Sequence, residues 1–209
     1  MSETQWMEWA RALQALCQTG VHYAVNEYDR ERYEEIGRIA ADMLSRNSSL
    51  TRDQALKLNA SEFGYATPKV DVRGVVFRND RILLVQEILD DDRWTLPGGW
   101  ADVNETPSTA VAREVAEESG FRTRVTRLLA CYDRDAQGHT PPYPHHVYKL
   151  FFQCEITGGR PETDHETSGV GFFPEDALPE LSQSRVTEEQ LHRFFTWHRE
   201  DHDRPADFD

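Results

Sequence analysis

Glu114, Glu117 and Glu118 stand at i, i+3 and i+4 in a stretch flanked by the signals of a helix start and a helix stop. Thr106 is a good N-cap, Pro107 a good first helical residue, and Gly120 suits the left-handed position past the last turn. A helix is therefore expected from about Pro107 to Ser119. Its three carboxylates share one face, while Val111, Ala112 and Val115 fall on another, toward a core. Like charges at this spacing cost a helix about 0.2–0.5 kcal/mol per pair, a cost that a bound hard cation reverses. Mg²⁺ or Mn²⁺ suits such a cluster, because both prefer oxygen ligands and bridge readily to phosphates. Just upstream, Leu96-Pro97-Gly98-Gly99 can bring backbone close to a ligand, and the Gly99 carbonyl is a further candidate metal ligand. Arg113 adjoins the acids and can pair with Glu105 or orient a neighbouring carboxylate.

The spacing is far from random. Gly99, Glu105, Arg113, Glu114, Glu117, Glu118 and Gly120 occupy fixed positions in GWADVNETPSTAVAREVAEESGF, with apolar Val115 and Phe121 between and after them. A chance match is on the order of 10⁻⁹ per starting position at average residue frequencies. The segment resembles the Nudix box, and the chain is identified by it as a member of the Nudix hydrolases. That resemblance implies metal-assisted hydrolysis of a phosphoanhydride, with the cation activating a water for in-line attack. It implies that Glu114, Glu117 and Glu118 bind metal, and that one of them, or a carboxylate on a distant loop, acts as base. Glu166, in PETDHETSGVGFFPEDALPEL, is the distant candidate for base and extra ligand.

The similarity extends to nearly the whole chain. TPKVDVR from Thr67, LPGGWADV, PPYPHHVYKLFF from Pro141 to Phe152, and LSQSRVTEEQ resemble one Nudix subgroup. Its members carry a small helical domain before the Nudix domain and act on nucleoside diphosphates linked to another moiety, such as ADP-ribose, CDP-alcohols and UDP-sugars. The products would be a nucleoside monophosphate and a phosphorylated second moiety. Two positions depart from the pattern: Asn104 stands where glycine is usual, and Gly169 where an acid is common. The rival readings are a triphosphate-sanitising enzyme, an RNA-end-processing enzyme and a non-catalytic Nudix-fold sensor. Retention of every box carboxylate argues against the last.

The elements that must position these residues change character near Tyr65–Pro68. Before it, Trp6, Trp9, Leu13 and Leu16 recur at helical spacing up to Gly20, and Tyr33, Ile36, Ile39, Ala40, Met43 and Leu44 form a second stripe. Thr51 and Gln54 suggest a capping box opening a third helix. These stripes need a surface to cover them, and a homodimer is expected; isolated helices below about 12–15 residues are marginal in water. After it come strand-like runs at Val70–Arg73, Val75–Phe77 and Ile82–Val85, with a tight turn at Asn79-Asp80. Further strands are expected at Trp94–Leu96, Val125–Asp133, Val147–Glu155 and Val170–Phe173, and a last helix from Thr187. The expected architecture is α/β (α+β): a mixed sheet between helices in residues 67–209, preceded by a helical domain in 1–66.

Asp71 and Arg73 fall on one face of a strand, as an internal ion pair or as contacts to a base or diphosphate. Tyr143, His146 and Tyr148, in the Pro-rich aromatic run, are candidate substrate contacts. His145 and His146 are adjacent and would point to opposite sides of a strand, which disfavours a shared zinc. Among 209 residues, a net charge of −14 argues against an extended nucleic-acid surface but not against a small nucleotide. Cys17, Cys131 and Cys154 form no CxxC, and no run approaches a membrane span or a leader peptide, so a reduced cytoplasmic protein is expected.

Overall fold

The computed structural model describes residues 3–60, 62–200 and 204–209. Contacts divide them into two compact units, Met1–Pro68 with Pro142–His146, and Lys69–Pro141 with Val147–Asp209.

The first unit holds α1 (Glu3–Tyr23), α2 (Glu27–Asn47) and α3 (Arg52–Ala60). Its core is Met7, Ala10, Ala41, Leu44 and Ala55, in which the three alanines let helices approach closely around the larger Met7 and Leu44. Gly20 does not end α1 as expected. The helix continues to Tyr23, and a Cβ at Gly20 would collide with the Tyr33 ring of α2. Gly20 is thus a crossing point that lets an aromatic ring lie on the neighbouring backbone. Asn26 caps α2 by accepting the Asp29 N–H, and Thr51 and Gln54 exchange the two bonds of the expected capping box. Pro142–His146 packs with these helices, and the Arg11 guanidinium reaches the His145 carbonyl at 3.4 Å. The segment expected within 67–209 therefore belongs to the helical unit.

The second unit is built on β1 (Lys69–Arg78), β2 (Arg81–Glu87), β3 (Arg93–Thr95), β4 (Gly98–Trp100), β5 (Phe121–Asp133), β6 (Val147–Gly159), β7 (Thr167–Phe173) and β8 (Asp207–Phe208). The described strands form one mixed sheet in the order β3-β2-β1-β6-β5-β8, with β4 on β1 and β7 on β2. β1 runs parallel to β6 and antiparallel to β2 and β4. Asn79 and Asp80 both take positive φ, the tight hairpin turn read from the sequence.

Helices α4 (Pro107–Ser119) and α5 (Glu188–Arg199) supply separate cores. Val111 and Val115 of α4 pack with Val72, Val76 and Phe152, whereas Leu191, Phe194 and Phe195 of α5 pack with Val75, Leu84 and Phe151. The sheet therefore lies between two helical layers. Burying a side chain of this size contributes about 1.5–3 kcal/mol, so these two stripes dominate what holds the unit together. Both helices start on the expected caps, Thr106 accepting from the Thr109 N–H and Thr187 from the Gln190 N–H. Gly120 closes α4 at φ 73°. Strands β5, β6 and β7 are longer than their apolar runs, because ladder pairing with a neighbour continues past the last apolar residue.

Candidate active site

Two of the three box carboxylates, Glu114 and Glu118, lie where α4 meets the turn between β3 and β4, and the third, Glu117, is held by Arg113. Register pairs Val72 with Gly99 and Arg73 with Gly98, so β1 holds that turn against the sheet. Gly98 takes φ 143°, and a Cβ there would strike the Val72 carbonyl. Only glycine fits this close approach, and it aims the Gly98 N–H at the Glu118 carboxylate, 2.8 Å away. The Glu114 carboxylate lies 3.1 Å from where a Cβ on Gly99 would sit, so helix acid and turn backbone face one small volume.

The acids differ in environment. Glu118 is buried, 5% exposed. Burial pushes its carboxyl up to about 8, against the opposing pull of Arg73 and the Gly98 N–H; Glu87 and Glu114 add to the rise. Glu114 is raised for the same first reason, burial, partly offset by Arg113. The Glu117 side chain is more than half exposed. Arg113 takes both alternatives read for it. It makes a two-pronged pair with Glu105, with Nε–Oε1 at 3.1 Å and Nη2–Oε2 at 3.0 Å, and its Nη1 reaches Glu114 and Glu117, each at 2.9 Å.

Oxygen donors suit a hard divalent ion: the Glu114 and Glu118 carboxylates face the glycine turn, and Glu118 is buried at a cost that a cation would offset. As placed, Glu114 and Glu117 lie on Arg113, and no three His, Cys, Asp or Glu side chains among the described residues converge at ligating distance.

Glu166 lies on the loop after β6. Its carbonyl accepts the Ile88 N–H at the end of β2, and its charge reaches Glu87. Neighbouring Thr167 donates to the Glu118 carbonyl at 3.1 Å, which ties this loop to the box helix. Asn104 adopts φ 70°, the left-handed conformation that asparagine tolerates best after glycine, so the turn before Glu105 survives the substitution. A Cβ at Gly169 would meet the end of the Gln86 side chain at 2.8 Å and the Trp94 ring at 3.1 Å.

Asp71 and Arg73 form the internal ion pair that was one of the two readings of this strand. The two side chains, 7% and 5% exposed, meet through two hydrogen bonds of 2.9 and 2.7 Å. Lys149 of β6 joins at 2.7 Å from Asp71, and Arg73 also donates to the Leu96 carbonyl before the glycine turn. Tyr143 and His146 belong to the segment that packs with the helical unit, and His145 and His146 precede β6 rather than lying on it. Tyr148 is a half-exposed residue of β6 paired with Asp133.

Sequence reasoning overlooked three charges. Lys149 interrupts an apolar strand at a buried position, a signal that was present in VYKLFF. Glu87, 6% exposed at the end of β2, and Arg185 before α5 meet at 3.3 Å. Only the folded register brings them together. Arg185 also donates to Asp90 at 3.1 Å. Asp90 and Ser184 line a cleft of about 720 Å³ whose walls include Arg93, Thr140, Gln183 and Leu181.

A family model described as the NUDIX domain matches residues 67–197, over half of the chain. The chain belongs to the Nudix hydrolase family. A second model, described as a UDP-X-like N-terminal oligomerisation domain, matches residues 4–58 of this Nudix hydrolase. A Bacillus subtilis (strain 168) protein provisionally named an ADP-ribose pyrophosphatase is 44% identical over 197 residues, 94% of each chain. The crystal structure of a UDP-X diphosphatase superposes at TM-score 0.63 with 29% identity, covering both chains fully. That of an ADP-ribose pyrophosphatase from Streptococcus suis 89-1591 superposes at 0.61 with 38% identity, covering 68% of this chain and all of the other. Nudix hydrolases generally use divalent cations, in keeping with the carboxylates gathered on α4.

Proposed function

We propose that this Nudix hydrolase splits the diphosphate bridge of a nucleoside diphosphate linked to a second moiety, of the ADP-ribose, CDP-alcohol or UDP-sugar class, using Mg²⁺. The reading rests first on the acid face of α4 against the Gly98–Gly99 turn, with Glu118 fixed by the Gly98 N–H. Full-length likeness to a UDP-X diphosphatase, and to a protein named for ADP-ribose, supports the substrate class.

When bound, the cation neutralises phosphate charge and lowers the pKa of a water. Glu114, Glu117 and Glu118 supply its oxygen ligands, joined by the Gly99 carbonyl. Arg113 releases Glu114 and Glu117 while its pair with Glu105 keeps it beside them. Glu166, more than half exposed on a loop anchored to α4 and β2, takes the proton of the attacking water or adds a ligand. Asp71, Arg73 and Lys149 act beneath the site: their buried network fixes the strand on which the glycine turn rests.

A substrate panel tests this reading. At saturating Mg²⁺, kcat/KM for at least one of ADP-ribose, CDP-choline and UDP-glucose is expected to exceed that for every nucleoside triphosphate by tenfold or more. Preference for a triphosphate, with pyrophosphate released, would assign the enzyme to nucleotide sanitising instead.

The helical unit presents Trp9, Leu16, Tyr23, Val25, Tyr28 and Ile39 to solvent. Such an apolar set on one small unit, with the oligomerisation-domain match, supports a homodimer built through α1 and α2. Sedimentation of the full chain is expected to give twice the chain mass; a monomer at micromolar concentration would refute it. The free cysteines suit a reducing cytoplasm.

A further inference from the structure

Residues 160–166, between β6 and β7, dock on the end of the box helix. A helix leaves its last carbonyls without partners of its own. Here the Glu162 N–H donates to the Ser119 carbonyl at 3.1 Å, and the Thr167 hydroxyl reaches the Glu118 carbonyl at 3.1 Å. The chain between these two anchors is therefore carried by the same last turn of α4 that carries Glu118. On its other side the Glu166 carbonyl accepts the Ile88 N–H at 3.0 Å.

Within that stretch one carboxylate organises the backbone. Asp164 Oδ1 accepts the Glu166 N–H at 2.9 Å and the Thr167 N–H at 3.0 Å, and it lies 3.0 Å from Thr167 Oγ1. Thr167 Oγ1 in turn accepts the Asp164 N–H at 3.2 Å. The peptide unit before Glu166 is thus fixed by its N–H, and the one after it by a carbonyl on Ile88 and an N–H on Asp164. Thr167 is buried, whereas the Glu166 side chain is more than half exposed, so the frame holds the backbone and leaves the carboxylate accessible. An acid that serves solubility alone needs no such frame. A proton acceptor or a ligand does, because a misplacement of about 1 Å costs about 100-fold in rate. We propose that Asp164 and Thr167 are positioning residues for Glu166: Asp164 fixes the backbone on both sides of it, and Thr167 ties that turn to the helix turn bearing Glu118. The proposal rests on the role given to Glu166 above and adds to it the groups that hold Glu166 in place.

Steady-state kinetics of the full chain, at saturating Mg²⁺ with the best substrate of the panel, test this through a double-mutant cycle. Glu166→Gln alone is expected to lower kcat at least tenfold, since losing a general base costs about 100-fold or more. Asp164→Ala is expected to lower kcat at least fivefold with KM within twofold of the parent. Asp164→Asn, which keeps the accepting oxygen, should recover most of that loss. In the Glu166→Gln background Asp164→Ala is expected to change kcat less than twofold, because groups that act as a unit do not lose rate additively. A residue that merely stabilised the loop would lower kcat by the same factor in both backgrounds. Should the alanine variant fail to fold, Thr167→Val, which removes the hydroxyl at nearly constant volume, is carried through the same cycle. A loss below fivefold in the single variant, a loss that falls on KM instead, or a loss of twofold or more in the Glu166→Gln background would overturn the proposal and leave Glu166 in its role. The same holds if asparagine does no better than alanine. A Glu166→Gln loss under tenfold would instead remove Glu166 from the mechanism, and the positioning role with it.

Discussion

Glu118→Gln is expected to lower kcat at least about 100-fold while leaving the fold as stable as the parent's or more so. Outer-sphere partners of metals already cost about 10–100-fold when removed, and a ligand costs more. Stability follows from the burial of Glu118. Its folded-state value near 8 lies above that of a free carboxyl, so ionising it opposes folding as pH rises from the free value toward 8. Gln keeps the side-chain oxygen that accepts the Gly98 N–H and cannot ionise, so at pH 7–8 without metal its Tm should equal or exceed the parent's. The rise in Tm that saturating Mg²⁺ gives the parent should shrink in the variant, because a ligand stabilises only the state that binds it. Activity within tenfold of the parent, or an undiminished Mg²⁺-dependent rise in Tm, would remove Glu118 from the metal site.

Asp71→Asn is expected to give the largest loss of stability, about 3–5 kcal/mol, the range for breaking one partner out of a buried ion pair. The substitution leaves Arg73 and Lys149, both almost fully buried, without the carboxylate they share. Burial opposes ionisation of Asp71, but the two cations outweigh it and hold the carboxyl well below the usual range. A depressed folded-state value means that the pair's contribution is complete above about pH 4, where a free Asp is ionised, and is lost as pH falls further. Urea unfolding of parent and variant at pH 7 and pH 3 measures this: the gap between them should narrow in acid. A variant within 1 kcal/mol of the parent at pH 7 would show that the network is not what fixes β1.

Much of this was legible in the sequence wherever local rules decide the outcome. The box helix begins and ends on the expected residues because Thr106, Pro107 and Gly120 act within one turn of chain. The Asn79-Asp80 hairpin and the cap of α5 are local for the same reason. Long-range partners decided the rest. Gly20 reads as a stop, yet Tyr33 from another helix makes it a contact point. The Pro-rich run around Tyr143 and His146 stands between two strands in sequence but groups with the distant helices of the first unit. Asp71 and Arg73 carry the same alternation whether they meet substrate or each other, and their buried pairing with Lys149, 78 residues away, is visible only in the fold. Glu87 and Arg185 become partners only through the fold.

Product analysis in ¹⁸O-labelled water tests the central claim most directly. With full-length enzyme, Mg²⁺ and ADP-ribose, CDP-choline or UDP-glucose, the account predicts a nucleoside monophosphate and a phosphorylated second moiety, with one label on one of the two phosphates. Glu118→Gln should yield neither. Release of inorganic phosphate or pyrophosphate as the main product, or of the intact nucleoside diphosphate, would contradict cleavage at the bridge.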